Sequence, residues 1–162
     1  MDIYARLSEL GIELPKAPAP AGMYAPARLF SEEHLVYLSG CIPTRDENLI
    51  AGRLGNELTV EQGQAMARSA MINALSVLEQ AIGDLNKVKA IVKITTFVAS
   101  ADNFYEQPLV ANGGSQLLAD IFGMENLPAR SAVGVNVLPL NMPVETEMLV
   151  ELNPVSIWDG DL

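Results

Sequence analysis

One cysteine and one histidine are all that the 162-residue chain carries of the two side chains most used to hold metals. Cys41 alone excludes an intramolecular disulfide. With His34 as the sole imidazole, neither a zinc cluster nor a histidine-based triad can be assembled within one chain. His34, in "SEEHLVYLSG", reads as an exposed strand-end residue without a role. Cations are scarce as well: ten Lys+Arg stand against 20 Asp+Glu, for a formal net charge of −10. Such a balance repels polyphosphate, and with no local basic patch it argues against a nucleic-acid partner. No apolar run approaches the ~20 residues of a membrane span. The opening "MDIYARLSEL" has acids where a signal peptide has cations. The expectation is a cytoplasmic protein with no membrane partner.

What is present is apolar substance, 49% of residues, with a mean hydropathy of +0.21. That is enough for a real core and points to one domain over 1–162: an N-terminal helix and Pro-rich lead-in (1–20), a core (21–152) and a tail (153–162). "DIYARLSELGIELP" reads as a short helix, an appendage, with Ile3, Leu7 and Leu10 on one stripe. "MYAPARLF" and "HLVYLSG" read as strands around a polar "SEE" turn, Pro26 marking an edge, and "NLIAGRLG" as a third short strand. "TVEQGQAMARSAMINALSVLEQAIGD" is the clearest helix. Thr59 and Gln62 form a capping-box pattern, Met66, Ala70, Ala74 and Leu78 a stripe, and Gly83 a stop. That small-residue stripe is a packing face rather than a cofactor box.

"KVKAIVKITTFVAS" reads as a long strand, with Val88, Ala90, Val92 and Ile94 alternating against Lys87, Lys89, Ile91 and Lys93, and with Lys89 and Lys93 solvated. A second long helix is expected from near Pro108 to Gly123, with Leu109, Val110, Leu117, Leu118 and Ile121 inward. The Gly113–Gly114 pair inside it suits close helix packing better than a phosphate loop. "ARSAVGVNVLP" and "VETEMLVEL" read as a hairpin across "LNMP". The order ββ(β)αβαββ describes an α+β fold, one mixed sheet with two helices on a single face. Its bare face calls for association of subunits.

Within this frame Arg130 stands out: in "LPARSAVGVNVLP" it opens a small apolar strand with no acid nearby in sequence. The plain alternative is an ion pair with an acid distant in sequence. Three acids, Glu145, Glu147 and Glu151, share one parity on the last strand, and strand spacing does not choose among them.

The motifs "AGMYAP", "LVYLSGCIP", "VKITTFVAS" and above all "PARSAVGVNVLPLNMPVETE" are those of a known family. Over roughly residues 20 to 152 the chain resembles the Rid family of reactive-intermediate imine deaminases, also called YjgF-like proteins. Within it, the N-terminal helix and "NGG" resemble a branch whose members are labelled endoribonucleases or translation inhibitors. The resemblance implies a chorismate mutase-like fold in a homotrimeric barrel with three clefts between subunits. It also implies cofactor-free, metal-free hydrolysis of enamines and imines of the 2-aminoacrylate type to a 2-keto acid and ammonia.

On that resemblance Arg130 grips the substrate carboxylate and Glu145 handles water and proton. Tyr24, Ser39, Gly40, Asn112 and Ala132 line the cleft, although Tyr24 reads almost as well as an ordinary edge aromatic. Ala132 departs from the pattern, since many imine-hydrolysing members have cysteine there; only its backbone can serve the cleft. Cys41 reads as a small buried residue rather than a nucleophile. The runner-up function is a non-catalytic sensor of 2-keto acids or related carboxylates. Endoribonuclease or translation-inhibitor activity comes third, against the net charge and the single histidine. Trp158, in the tail, is expected to fold back on its own trimer.

Overall fold

A computed structural model describes residues 2–32 and 34–154; Trp158 and the rest of the tail lie outside the described residues. In chain order the elements are α1 (Ile3–Glu9), β1 (Ala27–Phe30), β2 (Leu35–Cys41), α2 (Val60–Ile82), β3 (Val88–Ala99), α3 (Gln107–Phe122), β4 (Ala129–Val135) and β5 (Val144–Leu152). The five strands form one mixed sheet in the order β1-β2-β5-β3-β4, antiparallel except for the β3–β4 pair. β1 is an edge strand, as Pro26 just before it suggests.

α2 begins at the capping box. The Thr59 hydroxyl accepts from the Gln62 amide, and the Gln62 side chain accepts from the Thr59 amide at 2.9 Å. It ends at Gly83, whose φ of 78° needs a residue without a Cβ. Met66, Ala70, Ala74 and Leu78 are all buried. α3 crosses α2 at close range: a Cβ on Gly113 would strike the Gln64 carbonyl, and one on Gly114 would stand 3.3 Å from the Ala67 carbonyl. The glycine pair therefore lets two helix backbones touch, and that contact fixes where the α3 side chains reach the sheet.

Several expectations are corrected. "NLIAGRLG" contributes only isolated bridges at Leu54, because Arg53 ties this segment to the Ser100 carbonyl as a loop. The β3 alternation slips: irregularities between Val88 and Ala90 and between Ile91 and Lys93 turn Ile91 inward and leave Val92 40% exposed. Lys89 is ion-paired with Glu151, and Lys93 donates to the Ser131 hydroxyl, so neither is simply solvated. Leu109 is exposed, since Val110 and Ala111 take the inward positions of the first turn. His34 is half-buried, and its carbonyl accepts from the Leu152 amide.

α1 is no appendage. Seven residues are too few for a helix to persist alone, and this one is held from several sides. Ile3 and Leu7 join the main core, Asp2 caps it, the Ile3 amide donates to Asn86 at 2.8 Å, and Arg6 Nε donates to the Asp120 carbonyl at 2.7 Å.

The largest correction concerns the expected hairpin. β4 does not pair with β5. It lies parallel to β3 at the sheet edge, reached through α3, while β5 inserts between β2 and β3. The connection over 136–143 is no two-residue turn. It passes the end of β3, where the Ala99 amide donates to the Pro143 carbonyl, and Leu140 and Asn141 take left-handed φ values of 59° and 58°.

The buried residues of β2, β3 and β5 (Val36, Leu38, Ile94, Val98, Val144, Met148 and Val150) face α2 and α3. On the opposite face Phe30, Tyr37 and Val133 are each more than 40% exposed. Apolar side chains of that size are costly to leave wet.

Candidate functional site

Arg130 pairs in register with Ile94, a core residue, so its side chain leaves β4 on the helix side of the sheet. There α3 presents three acceptors at i, i+4 and i+7, one stripe of the helix. Arg130 Nη1 donates to Asn112 Oδ1 and to Ser115 Oγ, both at 2.9 Å, and Nη2 donates to the Pro108 carbonyl at 3.3 Å. All three are neutral. Among the described residues no carboxylate lies within ion-pair distance of Arg130, although Arg6, Arg53, Arg68 and Lys89 each have one. The guanidinium is thus oriented without being neutralised.

The three acids of β5 are told apart by their neighbours. Glu147 accepts from the Tyr37 hydroxyl at 3.1 Å, and Glu151 pairs with Lys89 Nζ at 2.8 Å. Glu145 has neither a cation nor a hydrogen-bond donor among the described residues. It lies instead against the backbone of β2, where pairing with β5 is irregular between Leu38 and Cys41. A Cβ on Gly40 would sit 2.6 Å from Glu145 Cδ and 2.9 Å from Cγ. Burial raises the Glu145 carboxyl above the usual carboxylate range, and the Glu147 charge adds to the rise.

Cys41, next along, is buried, and its thiol is pushed up to about 12 by burial and by the Glu145 charge. Such a thiol stays protonated at neutral pH and is no nucleophile. Ser39 spends its hydroxyl proton on the Ala25 carbonyl at 2.7 Å. Tyr24 is half-exposed and accepts from the Ala21 amide at 3.2 Å, which leaves its own O–H free to donate. Tyr24, Ser39, Gly40 and Cys41 share the wall of a small cavity of about 80 Å³ closed by the lead-in, Pro18 to Ala21. A larger cleft, about 630 Å³, runs between that lead-in and α2. Neither Arg130 nor Glu145 lines it, and it gathers no pair of titratable groups.

The predicted site residues therefore form two groups. Asn112 and Arg130 meet, and Ala132 follows two residues on, opposite Thr96 on the same face of edge strand β4. Gly40 and Glu145 meet, with Ser39 and Tyr24 beside them. One chain does not unite the two groups. Through Ile94, Arg130 is level with Met148, three residues from Glu145 and two strands away. At ~3.3 Å per residue and ~4.8 Å per strand the backbones are roughly 14 Å apart, with the side chains on opposite faces of the sheet.

Ser115 and the Pro108 carbonyl were not foreseen. The signal was the 108/112/115 spacing on a predicted helix, which marks one face. Among the described residues no group of three His, Cys, Asp or Glu could hold a metal ion.

A family model described as "YjgF/chorismate mutase-like, putative endoribonuclease" matches residues 4–152, which includes nearly all of α1 as well as the core. Protein TCP17 of Trypanosoma cruzi is 44% identical over 153 residues, covering 93% of this chain and 94% of its own. A 2-iminobutanoate/2-iminopropanoate deaminase of Dermatophagoides farinae is 31% identical over 86% of this chain and 93% of its own. Among solved structures, the protein Atu1372 of Agrobacterium tumefaciens superposes with a TM-score of 0.83 at 37% identity, over 93% of this chain and 92% of that one.

Proposed function

The chain belongs to the YjgF/chorismate mutase-like family, and from that premise we propose that it hydrolyses small enamine and imine intermediates of the 2-aminoacrylate type to a 2-keto acid and ammonia, without a cofactor, in a cleft shared between subunits of a homotrimer. The observation that carries this reading is the contrast among the β5 acids: Glu147 and Glu151 are engaged, while Glu145 is half-buried, unpaired among the described residues and shifted toward the protonated form. A carboxyl group raised above its ordinary range is a stronger general base than a free glutamate and can take and return a proton.

In the proposed reaction Arg130 holds the substrate carboxylate by a two-point contact that lysine cannot reproduce. Ionised Glu145 accepts a proton from the water that attacks the carbon of the protonated imine, and C=NH2+ becomes a neutral carbinolamine. Protonated Glu145 then gives its proton to the nitrogen; as the C–N bond breaks and ammonia leaves, the carbinolamine hydroxyl gives up its proton through Glu145 to solvent and the keto acid remains. Such intermediates hydrolyse slowly unaided, so positioning and one proton relay suffice.

The same geometry supports a trimer. Two groups on opposite faces of one sheet serve a substrate a few ångströms long only if the second group comes from a neighbouring chain, and a head-to-tail ring supplies it three times over. Association would also cover Phe30, Tyr37 and Val133.

The test is an assay of imine hydrolysis with 2-aminoacrylate and its longer homologues generated enzymatically in place. Acceleration above the spontaneous rate, abolished by Arg130→Ala, supports the enzyme. A protein that binds 2-keto acids without accelerating hydrolysis is the sensor instead. The endoribonuclease reading rests on names among relatives and faces a net charge of −10; cleavage of single-stranded RNA lost in Glu145→Gln would favour it.

A further inference from the structure

The hydrogen bonds from α3 do more than support Arg130; they decide which of its edges can meet a ligand. A guanidinium has five N–H groups and no acceptor. Both protons of Nη1 are committed, to Asn112 Oδ1 and Ser115 Oγ, and one Nη2 proton goes to the Pro108 carbonyl. The end-on edge, which would need one proton from each terminal nitrogen, is therefore spent. Nε–H and the second Nη2–H have no partner among the described residues. Because the Pro108 carbonyl lies on the same stripe of α3 as the two Nη1 acceptors, we assign it the Nη2 proton on the Nη1 side, which leaves these two parallel as the arginine's side-on fork.

We propose that α3 sets Arg130 to receive its carboxylate side-on through Nε–H and Nη2–H, and that Ser115 is the positioning residue that holds the guanidinium in that attitude. The inference rests on the carboxylate reading of Arg130 and deepens it. Ser115 rather than Asn112 carries most of the positioning, because Ser115 is half-buried and Asn112 is exposed, and a bond to a charged group strengthens as water is excluded. Asn112 has a second part. Since arginine can only donate, the amide must turn Oδ1 toward it, which leaves the Asn112 NH2 group without a partner among the described residues and available to the same anion. The fork and that amide together suit a planar monocarboxylate such as a 2-keto or 2-imino acid. A ligand that needs both terminal nitrogens end-on is refused.

The test uses the full chain and 2-oxobutanoate as probe, with the Arg130 Nε–H resonance followed by ¹H–¹⁵N NMR and assigned by its loss in Arg130→Lys. Saturation with 2-oxobutanoate should move the Nε proton downfield and slow its exchange. Ser115→Ala should weaken 2-oxobutanoate binding and raise KM by about tenfold while leaving kcat within about twofold, the pattern of lost uniform binding. Ser115→Thr, which keeps the hydroxyl, should restore both. An Nε resonance unmoved at saturation overturns side-on binding, and this readout needs no variant that folds. Wild-type affinity in folded Ser115→Ala overturns the positioning role. Wild-type affinity in Arg130→Ala would instead remove the carboxylate reading beneath both.

Discussion

The Glu145 side chain lies directly over Gly40, occupying the space a Cβ at that position would need. Gly40 is not among the glycines of positive φ, so alanine can adopt its backbone conformation. The atoms it would meet are the far end of a flexible side chain, which can swing away. Gly40→Ala should therefore lower imine hydrolysis by about tenfold to a hundredfold through displacement of the carboxylate, with the unfolding midpoint shifted by no more than a few degrees. Steady-state kinetics and calorimetry on one preparation check it; a collapse of stability with proportionate loss of activity would show that Gly40 serves the fold.

Glu145 should also leave a signature in the pH dependence of stability. Its folded-state carboxyl is raised, by burial first and then by Glu147. Between the unfolded and folded values the native state binds more protons than the unfolded state, so stability falls as pH rises through that window and the loss is complete above the folded value. Glu145→Gln, an uncharged stand-in for the protonated acid, should melt higher than wild type at neutral pH. The difference should vanish below the ordinary carboxylate range near ~4.3. Melting curves across that range measure it, and a variant less stable at neutral pH would mean the ionised group is held by a favourable partner. Activity should rise with pH through a value above that of an ordinary glutamate.

Gly113 supports the site from a distance, by letting α3 approach the Gln64 carbonyl of α2. Gly113→Ala would gain about 1 kcal/mol of helix propensity, yet the obstacle is backbone and cannot swing away. Overpacking of this kind costs roughly 1–3 kcal/mol or more, so the net effect should be destabilising. Because α3 carries Asn112 and Ser115, carboxylate affinity should fall with it. A melting midpoint unchanged or raised would contradict the close crossing.

The exposed sheet face, on which Phe30, Tyr37 and Val133 stand among the β5 glutamates, leads to a further expectation. Light scattering at micromolar concentration should give three times the 17.4 kDa chain mass. A stable monomer would remove both the covering of that face and the shared cleft.

Much of this was legible in the sequence wherever local chemistry decides the outcome. The Thr59–Gln62 box and the stop at Gly83 act through neighbours a few residues away, while Pro26 before an edge strand and the glycine pair of α3 announce by residue type alone what they permit, although the glycines meet Gln64 and Ala67 on a different helix. Strand partnership is set by long-range packing, and there the reading failed. Two strands adjacent in sequence were expected to pair, whereas α3 carries β4 to the outside of β3 and leaves the inner slot to β5. The β3 irregularities broke a period-2 pattern that looked regular, because Ala90, Ile91 and Val92 are three apolar residues in a row and either face can take any of them. For the site, residue type pointed to Arg130. The parity of Glu145, Glu147 and Glu151 was equally visible, but what distinguishes them is Tyr37 on β2 and Lys89 on β3, partners that only folding brings near.

The central claim is that one cleft takes its arginine from one chain and its glutamate from the next, and mixing subunits tests it most directly. Arg130→Ala and Glu145→Gln chains, each inactive alone, are unfolded, combined in equal amounts and refolded, and mixed trimers are verified by native mass spectrometry. With random assembly into a closed ring, about one interface in four joins an intact arginine to an intact glutamate. The mixture should recover about a quarter of wild-type imine hydrolysis per subunit. Verified mixed trimers with no recovered activity would contradict the shared cleft.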